Sequence, residues 1–340
     1  MILVSNRKLT DDQVGRIRAS GIDYYFGDNE GADAHGAPPA VYNKGILALP
    51  PEILAKAQIV INPPYHVDKQ LMEQMPALKW IQSTGAGINT GGALMTNWPE
   101  IDKRGIIVTT AKFHGPWISE TVVGYMLLFA KDFLKHYEGQ KRHLNSSRKR
   151  GAHGFYLGGK SALVLGTGHI GGMIARRAKL GFDMRTIGIN SDGHSVEHFD
   201  ECHDLSSLDR LLPDADFVVL TLTLTERTQF IIHKGNLPKM KKSACLINIS
   251  RGDLIVEDDL IDALKRKVIA GAVLDVFHHE PLPEESPLWD LDNVFLTPHS
   301  SAMGMENSGE LLVDRLLGNY RYFERGEYDK MDELANAKRY

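Results

Sequence analysis

Residues 161–189 read SALVLGTGHIGGMIARRAKLGFDMRTIGI, a strand-like run, a glycine-rich turn, a helix-like run and a second strand-like run. The turn, Gly166-Thr167-Gly168-His169-Ile170-Gly171, has the spacing G-x-G-x-x-G. In such a unit the first glycine permits a tight turn, the second lets a pyrophosphate approach the backbone, and the third allows close packing of the helix. The helix N-terminus adds N–H groups and a positive dipole end. The stretch therefore predicts a dinucleotide-binding βαβ unit.

Four more short apolar runs follow this unit along the chain. Turn residues and helix-like stretches separate them, which is typical of parallel strands joined by crossovers. We predict an α/β domain with a doubly wound, six-stranded parallel sheet of the Rossmann type. The six predicted strands are Ala162–Leu165, Arg185–Ile189, Phe217–Leu222, Leu246–Ile249, Ala272–Val276 and Val294–Thr297.

The region before residue 119 predicts a second, smaller domain with the same alternation of strands and helices. We expect a flavodoxin-like parallel α/β fold for it. Its predicted strands are Met1–Ser5, Ile59–Ile61, Trp80–Gln82 and Ile106–Val108, with a helix at Pro51–Ala57.

Two further stretches have apolar residues at helical spacing. Ile118–Tyr137 predicts one helix that bridges the domains, with Ser119 as its N-cap. The tail from Glu306 predicts a helix whose apolar face returns to the first domain. The expected domains are thus residues 1–118 plus 303–340, which bind the substrate, and residues 119–302, which bind the nucleotide.

The composition indicates an ordinary globular protein with two domains. The chain has 340 residues, 43% of them hydrophobic and 24% charged. A formal net charge of −4 gives no general attraction to nucleic acid or to anionic membranes. The one basic cluster, Arg148-Lys149-Arg150, is interpreted as a surface loop or subunit contact. Gly27–Lys44 is interpreted as a long surface loop.

The two cysteines, Cys202 and Cys245, lie far apart and have neither disulfide-scaffold nor zinc-site spacing. We therefore expect no metal site and a reducing, cytoplasmic location. The first residues have no signal-peptide pattern. The most apolar run, Val122–Ala130, is far shorter than the roughly 20 residues that span a membrane, so no membrane association is expected.

The end of the second Rossmann strand carries Asn190-Ser191 where an acidic residue would bind the adenosine ribose hydroxyls. An uncharged side chain does not repel a 2′-phosphate, which favours NADP. The nearby loop has His194 but no arginine to hold that phosphate. A site that binds NAD and tolerates the uncharged residue therefore remains an alternative.

Three motifs follow the later strands: Ile249-Ser250-Arg251-Gly252, the stretch from Asp275 to Pro283 that contains Glu280, and Thr297-Pro298-His299. Together with the glycine turn they resemble the signatures of the D-isomer-specific 2-hydroxyacid dehydrogenases. The resemblance extends from the Trp80 strand to about Met303.

This resemblance implies that Arg251, Glu280 and His299 are catalytic, that Asp275 contacts the nicotinamide side, and that subunits pair as a homodimer through their nucleotide domains. The predicted cofactor-binding residues are Gly166, Thr167, Gly168, His169, Ile170, Gly171, Asn190, Ser191, Ile249, Ser250 and Asp275.

The chemistry of the three residue types agrees with those roles. Arg251 offers a planar fork that can orient a substrate carboxylate and carbonyl. His299 can give a proton to the developing alkoxide in reduction and remove it in oxidation. We expect Glu280 to hold the imidazolium and to raise the pKa of His299.

Ser83-Thr84-Gly85-Ala86-Gly87-Ile88-Asn89 resembles the family's substrate-carboxylate loop, so Gly85, Ala86 and Gly87 are predicted to bind substrate together with Arg251. Asn89 stands where the family has an aspartate. Phe113–Glu120 resembles the family's interdomain segment, in which Phe113 and Trp117 either wall the pocket or pack a hinge. We interpret the neighbouring His278 and His279 as structural.

The function that these features predict is NAD(P)-dependent reduction of glyoxylate, hydroxypyruvate or a larger 2-keto acid to the D-2-hydroxy acid. A nucleotide-sensing binding protein of the same fold, resembling a corepressor, is the alternative from another class. Phosphoglycerate dehydrogenase is the alternative within the family. Formate dehydrogenase is disfavoured because that resemblance requires a glutamine in place of Glu280.

Overall fold

The computed structural model describes residues 1–28, 42–63, 66–87, 93–143, 154–304 and 307–335. The basic cluster Arg148-Lys149-Arg150, Asn89 and most of the predicted Gly27–Lys44 loop lie outside these residues. The chain divides into two compact units: Met1–His114 with Gly304–Tyr340, and Gly115–Met303. We call them the first and the second unit and describe each by itself.

The first unit is built on a five-stranded parallel sheet in the order β2-β1-β3-β4-β5. This is the doubly wound order of flavodoxin-like folds, which confirms the predicted fold class. Its strands are β1 (Ile2–Ser5), β2 (Asp23–Phe26), β3 (Ile59–Asn62), β4 (Trp80–Ser83) and β5 (Ile107–Thr109). The helices before residue 115 are α1 (Asp11–Ala19), α2 (Lys44–Leu47), α3 (Pro51–Lys56), α4 (Lys69–Gln74), α5 (Ala93–Thr96) and α6 (Trp98–Lys103).

The sequence explains most of these elements. β3 and β4 are buried along their whole length, as their apolar runs predict for central parallel strands. α1 begins at a capping box in which Thr10 and Gln13 bond each other's backbone N–H groups. The prediction missed β2, an edge strand that starts at the exposed Asp23 and lacks β-branched residues.

The second unit contains a seven-stranded parallel sheet in the order β12-β11-β10-β9-β6-β7-β8. The order reverses beside β6, as in the Rossmann fold, so the predicted fold class is confirmed. The strands are β6 (Ser161–Leu165), β7 (Arg185–Asn190), β8 (Glu201–Asp204), β9 (Phe217–Leu220), β10 (Cys245–Asn248), β11 (Gly271–Leu274) and β12 (Val294–Leu296). Its helices are α7 (Gly115–Ala130), α8 (Phe133–Lys141), α9 (His169–Phe182), α10 (Leu208–Leu211) and α11 (Glu257–Lys265).

Two predictions for this unit were wrong. The sheet has seven strands instead of six, because β8 is a polar, partly exposed edge strand without an apolar run. The single helix predicted over Ile118–Tyr137 is two helices, α7 and α8, separated by Asp132 with a left-handed φ of 53°. Ser119 is not an N-cap: it is buried inside α7, where its hydroxyl donates to the Pro116 carbonyl at 2.8 Å.

The C-terminal helix α12 (Ser308–Glu324) belongs to the first unit. It buries Leu312, Leu316 and Phe323 in the same cluster as Leu3 and Trp80. The rings of Phe323 and Trp80 lie 5.3 Å apart. The apolar face that the helical spacing of the tail predicts is therefore buried in the structure. No helix in the described part of the chain is both long and apolar enough to cross a membrane.

Candidate active site

The glycine-rich turn joins β6 to α9, and the structure explains two of its glycines by close packing. Gly166 has a φ of 105°, which favours glycine. A Cβ on Gly171 would lie 1.9 Å from the Gly166 carbonyl oxygen. The Thr221 hydroxyl donates to that same oxygen at 2.7 Å. The first and third glycines are thus required by the turn itself, and Thr221 at the end of β9 holds it.

Gly168 is different, because no atom lies within 4 Å of the position that its Cβ would take. It is the N-cap of α9, and no side chain caps that helix. The first turn of α9 therefore presents backbone N–H groups beside open space, where a pyrophosphate can approach. His169 and Ile170 begin this turn. The residues present fit a dinucleotide cofactor.

Asn190 ends β7 and shapes the loop that follows. Its amide donates to the Thr167 hydroxyl at 3.1 Å and to the His194 carbonyl at 2.9 Å, while its oxygen accepts from the N–H of Gly193 at 2.6 Å. The Asn190 side chain thus connects the glycine turn to the loop that begins at Ser191. In that loop Asp192 pairs with the His194 ring, and this contact lowers the pKa of Asp192.

Asp275 lies directly after β11 and is fully buried. Its carboxylate accepts from the Thr297 hydroxyl at 2.6 Å and from the backbone N–H of Ser300 at 2.8 Å and Ser301 at 3.0 Å. Its carbonyl accepts from the N–H of His299 at 2.8 Å. Asp275 therefore anchors the loop that carries His299.

His299 and Glu280 form an ion pair with 2.7 Å between Nδ1 and Oε2. The second oxygen of Glu280 accepts from the Phe277 N–H at 3.0 Å. Burial by itself raises the pKa of Glu280. The hydrogen bond and charge of His299, the Phe277 N–H and the charge of Arg251 outweigh burial and lower it below its usual range. Glu280 is thus ionised at neutral pH.

Arg251 lies in the turn after β10, next to β11 in the sheet. Asn248 shapes this turn, since its amide donates to the Arg251 carbonyl at 2.8 Å and its oxygen accepts from the Ser250 N–H at 3.1 Å. Ser250 donates its hydroxyl to the Leu222 carbonyl, and Ile249 is buried. The structure therefore brings Arg251, Glu280 and His299 together at the carboxyl ends of β10, β11 and β12.

The other histidines near this site have separate contacts. His278 is exposed and pairs with Asp253, while the neighbouring His279 is exposed. Among the residues that the structure describes, no group of three or more His, Cys, Asp or Glu side chains could hold a metal ion.

In the first unit, the predicted substrate loop follows β4. The Gly85 N–H donates to the Ser83 hydroxyl at 3.1 Å, and the Gly85 carbonyl accepts from the Ala111 N–H at 3.0 Å. Ala86 and Gly87 continue the loop up to the last described residue before 93. The imidazole of His114 donates from Nε2 to the Thr84 carbonyl at 3.0 Å. These contacts fix the start of the loop.

Sequence reasoning missed the residues that hold the site rather than form it. Thr221 locks the glycine turn, and Tyr125 bonds the Thr297 hydroxyl at 2.9 Å. The loop-anchoring role of Asp275 was likewise not predicted, since the resemblance implied only a contact with the nicotinamide side. No motif marks such residues, because their partners are distant in sequence.

Comparisons with known proteins show the family of this chain. The family model described as "D-isomer specific 2-hydroxyacid dehydrogenase, NAD binding domain" matches residues 123–301. The glyoxylate/hydroxypyruvate reductase B of Pectobacterium carotovorum is 36% identical over 275 residues, which cover 78% of this chain and 82% of that protein. An uncharacterized protein of Corynebacterium melassecola is 42% identical over 168 residues, which cover 49% of this chain and 55% of that protein. This chain thus spans about half the length of the latter relative.

A solved structure extends the similarity over both units. The D-isomer specific 2-hydroxyacid dehydrogenase family protein of Aeromonas salmonicida superposes with a TM-score of 0.78 at 28% identity, covering 99% of this chain and 98% of that chain. The fold and the nucleotide site define an NAD(P)-dependent oxidoreductase. The chain belongs to the D-isomer-specific 2-hydroxyacid dehydrogenase family, as its motifs predict.

Proposed function

We propose that this protein reduces glyoxylate, hydroxypyruvate or a larger 2-keto acid to the 2-hydroxy acid, of D configuration where that product is chiral, with His299 as the acid. The observation that carries the proposal is the 2.7 Å ion pair between His299 and Glu280, beside the charge of Arg251, in a unit built to bind a dinucleotide. The Pectobacterium relative is a glyoxylate/hydroxypyruvate reductase, which supports the choice of substrates.

His299 gives the proton and Glu280 positions it. Because Nδ1 faces the carboxylate, Nε2 is the nitrogen that meets the substrate oxygen. The ionised Glu280 stabilises the imidazolium that must be present before proton transfer. When bound, the nicotinamide cofactor supplies the hydride that reduces the keto carbon.

Arg251 binds the substrate carboxylate and polarises the keto oxygen, since its guanidinium is permanently charged and planar. In the first unit, the loop Gly85-Ala86-Gly87 is proposed as a further site for a substrate carboxylate. The roles given to Arg251 and to this loop are those that the family resemblance implies for these residues. The cofactor contacts follow it as well, through the glycine turn, Asn190-Ser191 and Ile249-Ser250. Asp275 is fully buried, so it acts through the His299 loop that it anchors and not by direct contact with the cofactor.

The second unit pairs with a second copy of the chain. A surface groove between α7 and α9 is lined by Val123, Leu127, Leu180 and Phe182. Leu180 is 65% exposed and lies in this contiguous groove, and contiguous apolar surface of this kind is typical of protein–protein contacts. We also place the protein in a reducing cytoplasm, because both cysteines are free thiols.

The test is oxidation of NADPH and of NADH, followed at the nicotinamide absorbance, with glyoxylate, hydroxypyruvate, pyruvate and phenylpyruvate at neutral pH. We expect turnover with at least one of the two small substrates and a measurable preference between the cofactors. Binding of either cofactor without turnover of any of the four acids would reject the proposed reaction and favour a nucleotide-sensing role.

A further inference from the structure

The carboxyl end of β1 carries an arginine that the proposed mechanism does not use. Arg7 is half-buried, and its Nη2 donates to the Ser308 hydroxyl at 2.8 Å. Its carbonyl accepts from the Tyr24 hydroxyl at 2.7 Å. Within the described residues of the chain, no carboxylate forms an ion pair with Arg7. A half-buried guanidinium without a carboxylate partner is uncommon, because burial of an uncompensated charge is costly.

Within the described residues, the titratable side chains that interact with Arg7 are Tyr24, Tyr42 and His114, and all three are uncharged at neutral pH. Burial raises the pKa of Tyr24 to about 12. Burial also lowers the pKa of His114, and the positive charge of Arg7 lowers it further against the opposing hydrogen bond to Thr84. Tyr42, a phenol, stacks on His66 with 3.9 Å between ring centroids. Among the residues that the structure describes, no neighbour therefore neutralises the charge of Arg7.

Arg7 also lies at the positive end of a helix. Ser308 is the first residue of α12, and a helix N-terminus favours anions over cations. The acidic residue in that first turn, Glu310, is bonded to Gln13 at 2.7 Å and to Arg16 at 2.6 Å. Arg7 and the helix end therefore repel each other, and an anion placed against Arg7 would relieve that repulsion.

A short series of contacts connects Arg7 to the substrate loop of the same unit. Asn6, the residue before Arg7, donates to the Asn62 side chain at 2.5 Å. The Asn62 carbonyl accepts from the Thr84 N–H at 3.3 Å, and the Thr84 carbonyl accepts from His114. Only β3 separates β1 from β4, so the two strand ends are about 10 Å apart. The Arg7 side chain and a short substrate can span that distance together.

We propose that Arg7 binds a second carboxylate at the far end of the substrate, so that the protein prefers 2-keto dicarboxylic acids to monocarboxylic acids of equal length. This rests on the proposed function, because the loop Gly85-Ala86-Gly87 must hold the carboxylate next to the keto group. A guanidinium fork matches a carboxylate in a bidentate manner. One cation among uncharged neighbours balances one carboxylate, whereas a phosphate dianion would need a second cation.

The experiment compares two five-carbon substrates that differ only at the far end: 2-oxoglutarate, with a carboxylate, and 2-oxopentanoate, with a methyl group. For the wild-type protein we expect kcat/KM to be at least tenfold higher with 2-oxoglutarate. In Arg7→Met this ratio should fall to about one, and in Arg7→Lys it should be intermediate. Arg18→Met, at an exposed position of α1, is the matched control and should keep the wild-type ratio.

Three results would overturn the proposal: a wild-type ratio near one, an unchanged ratio in Arg7→Met, or an equal loss with glyoxylate, which has no far end. If Arg7→Met does not fold, the ratio measured for the wild-type protein decides the question by itself. If no keto acid is reduced, including glyoxylate and hydroxypyruvate, the proposed function fails. In that case, calorimetric titration of the cofactor-loaded protein measures its affinity for 2-oxoglutarate and for 2-oxopentanoate. Equal affinities would reject the proposed role of Arg7.

Discussion

His299 combines an uncommon backbone with a fixed side chain. Its φ is 50°, a left-handed conformation that typically costs about 1–3 kcal/mol in a residue other than glycine. Asp275 holds this conformation through the His299 N–H and the two following N–H groups, and Glu280 fixes the ring. The loop thus aims one side chain at a defined point, as a proton donor requires.

Replacement of His299 by alanine tests its role as the acid. We expect kcat for keto-acid reduction to fall roughly 10²–10⁴-fold, because a positioned general acid contributes about that factor. The affinity for the cofactor, measured by nicotinamide fluorescence, should stay near the wild-type value. His279→Ala is the matched control at an exposed neighbouring position, and it should keep wild-type turnover. Turnover of His299→Ala within tenfold of wild type would exclude this role.

Asn190 offers a test of cofactor choice. An aspartate there cannot donate to Thr167 or His194 and adds a negative charge that repels a 2′-phosphate. In Asn190→Asp we expect the ratio of kcat/KM for NADPH over NADH to fall at least tenfold. Asn190→Ala loses the same donors without adding charge, so it separates loop damage from repulsion. If both variants give the same ratio, the charge at residue 190 does not reach the phosphate.

At the scale of elements, Asp216 connects the N-terminal ends of the neighbouring strands β6 and β9 in the second unit. Asp216 accepts from the Ser161 N–H at 2.9 Å and forms an ion pair with Lys241 at 3.1 Å. Burial raises the pKa of Asp216, but the hydrogen bonds from Ser161 and the charge of Lys241 outweigh it, so that its pKa lies below the usual range. The ionised carboxylate therefore stabilises the folded state.

The stabilisation by Asp216 has a defined pH dependence. Because the pKa is lower in the folded protein, the contribution is complete above the unfolded value of about 3.9 and is lost as the pH falls through the folded value. We expect Asp216→Asn to lower the free energy of unfolding by about 1–3 kcal/mol at pH 7 and by progressively less below pH 4. Denaturant unfolding at several pH values measures this. Asp209→Asn, in an exposed ion pair with Lys239, should change stability by less than about 1 kcal/mol. An Asp216→Asn deficit that is independent of pH would contradict the argument.

At the scale of the whole molecule, the proposed pairing of subunits predicts the mass in solution. Light scattering should give twice the chain mass of 37.8 kDa. Leu180→Lys adds a positive charge to the groove between α7 and α9, which Arg176 and Arg177 also line. It should shift the mass toward that of one chain, because the added charge has to leave water and is repelled by the two arginines. Tyr328→Glu, at an exposed position of the first unit, should leave the mass unchanged. A monomeric wild-type protein would reject the pairing.

The sequence by itself determined the fold class and predicted which residues form the site. Buried parallel strands need continuous apolar runs, and the turn over a pyrophosphate needs glycine, so both leave local patterns that can be read without a structure. The contact between Glu280 and His299 was expected from the family resemblance and from the chemistry of a carboxylate and an imidazole, and the structure shows it. The edge strands Asp23–Phe26 and Glu201–Asp204 could not be predicted, since a partly exposed edge strand needs no apolar run.

Only the tertiary structure decided which residues hold the site in place. Asp275 anchors the His299 loop, Thr221 locks the glycine turn, and Arg7 has no carboxylate partner within the described parts of the chain. The break between α7 and α8 was also invisible in the apolar spacing, which continues through it. The physical reason is the same in each case: a hydrogen bond or an unbalanced charge depends on groups that are distant in sequence, and only the folded chain brings them together.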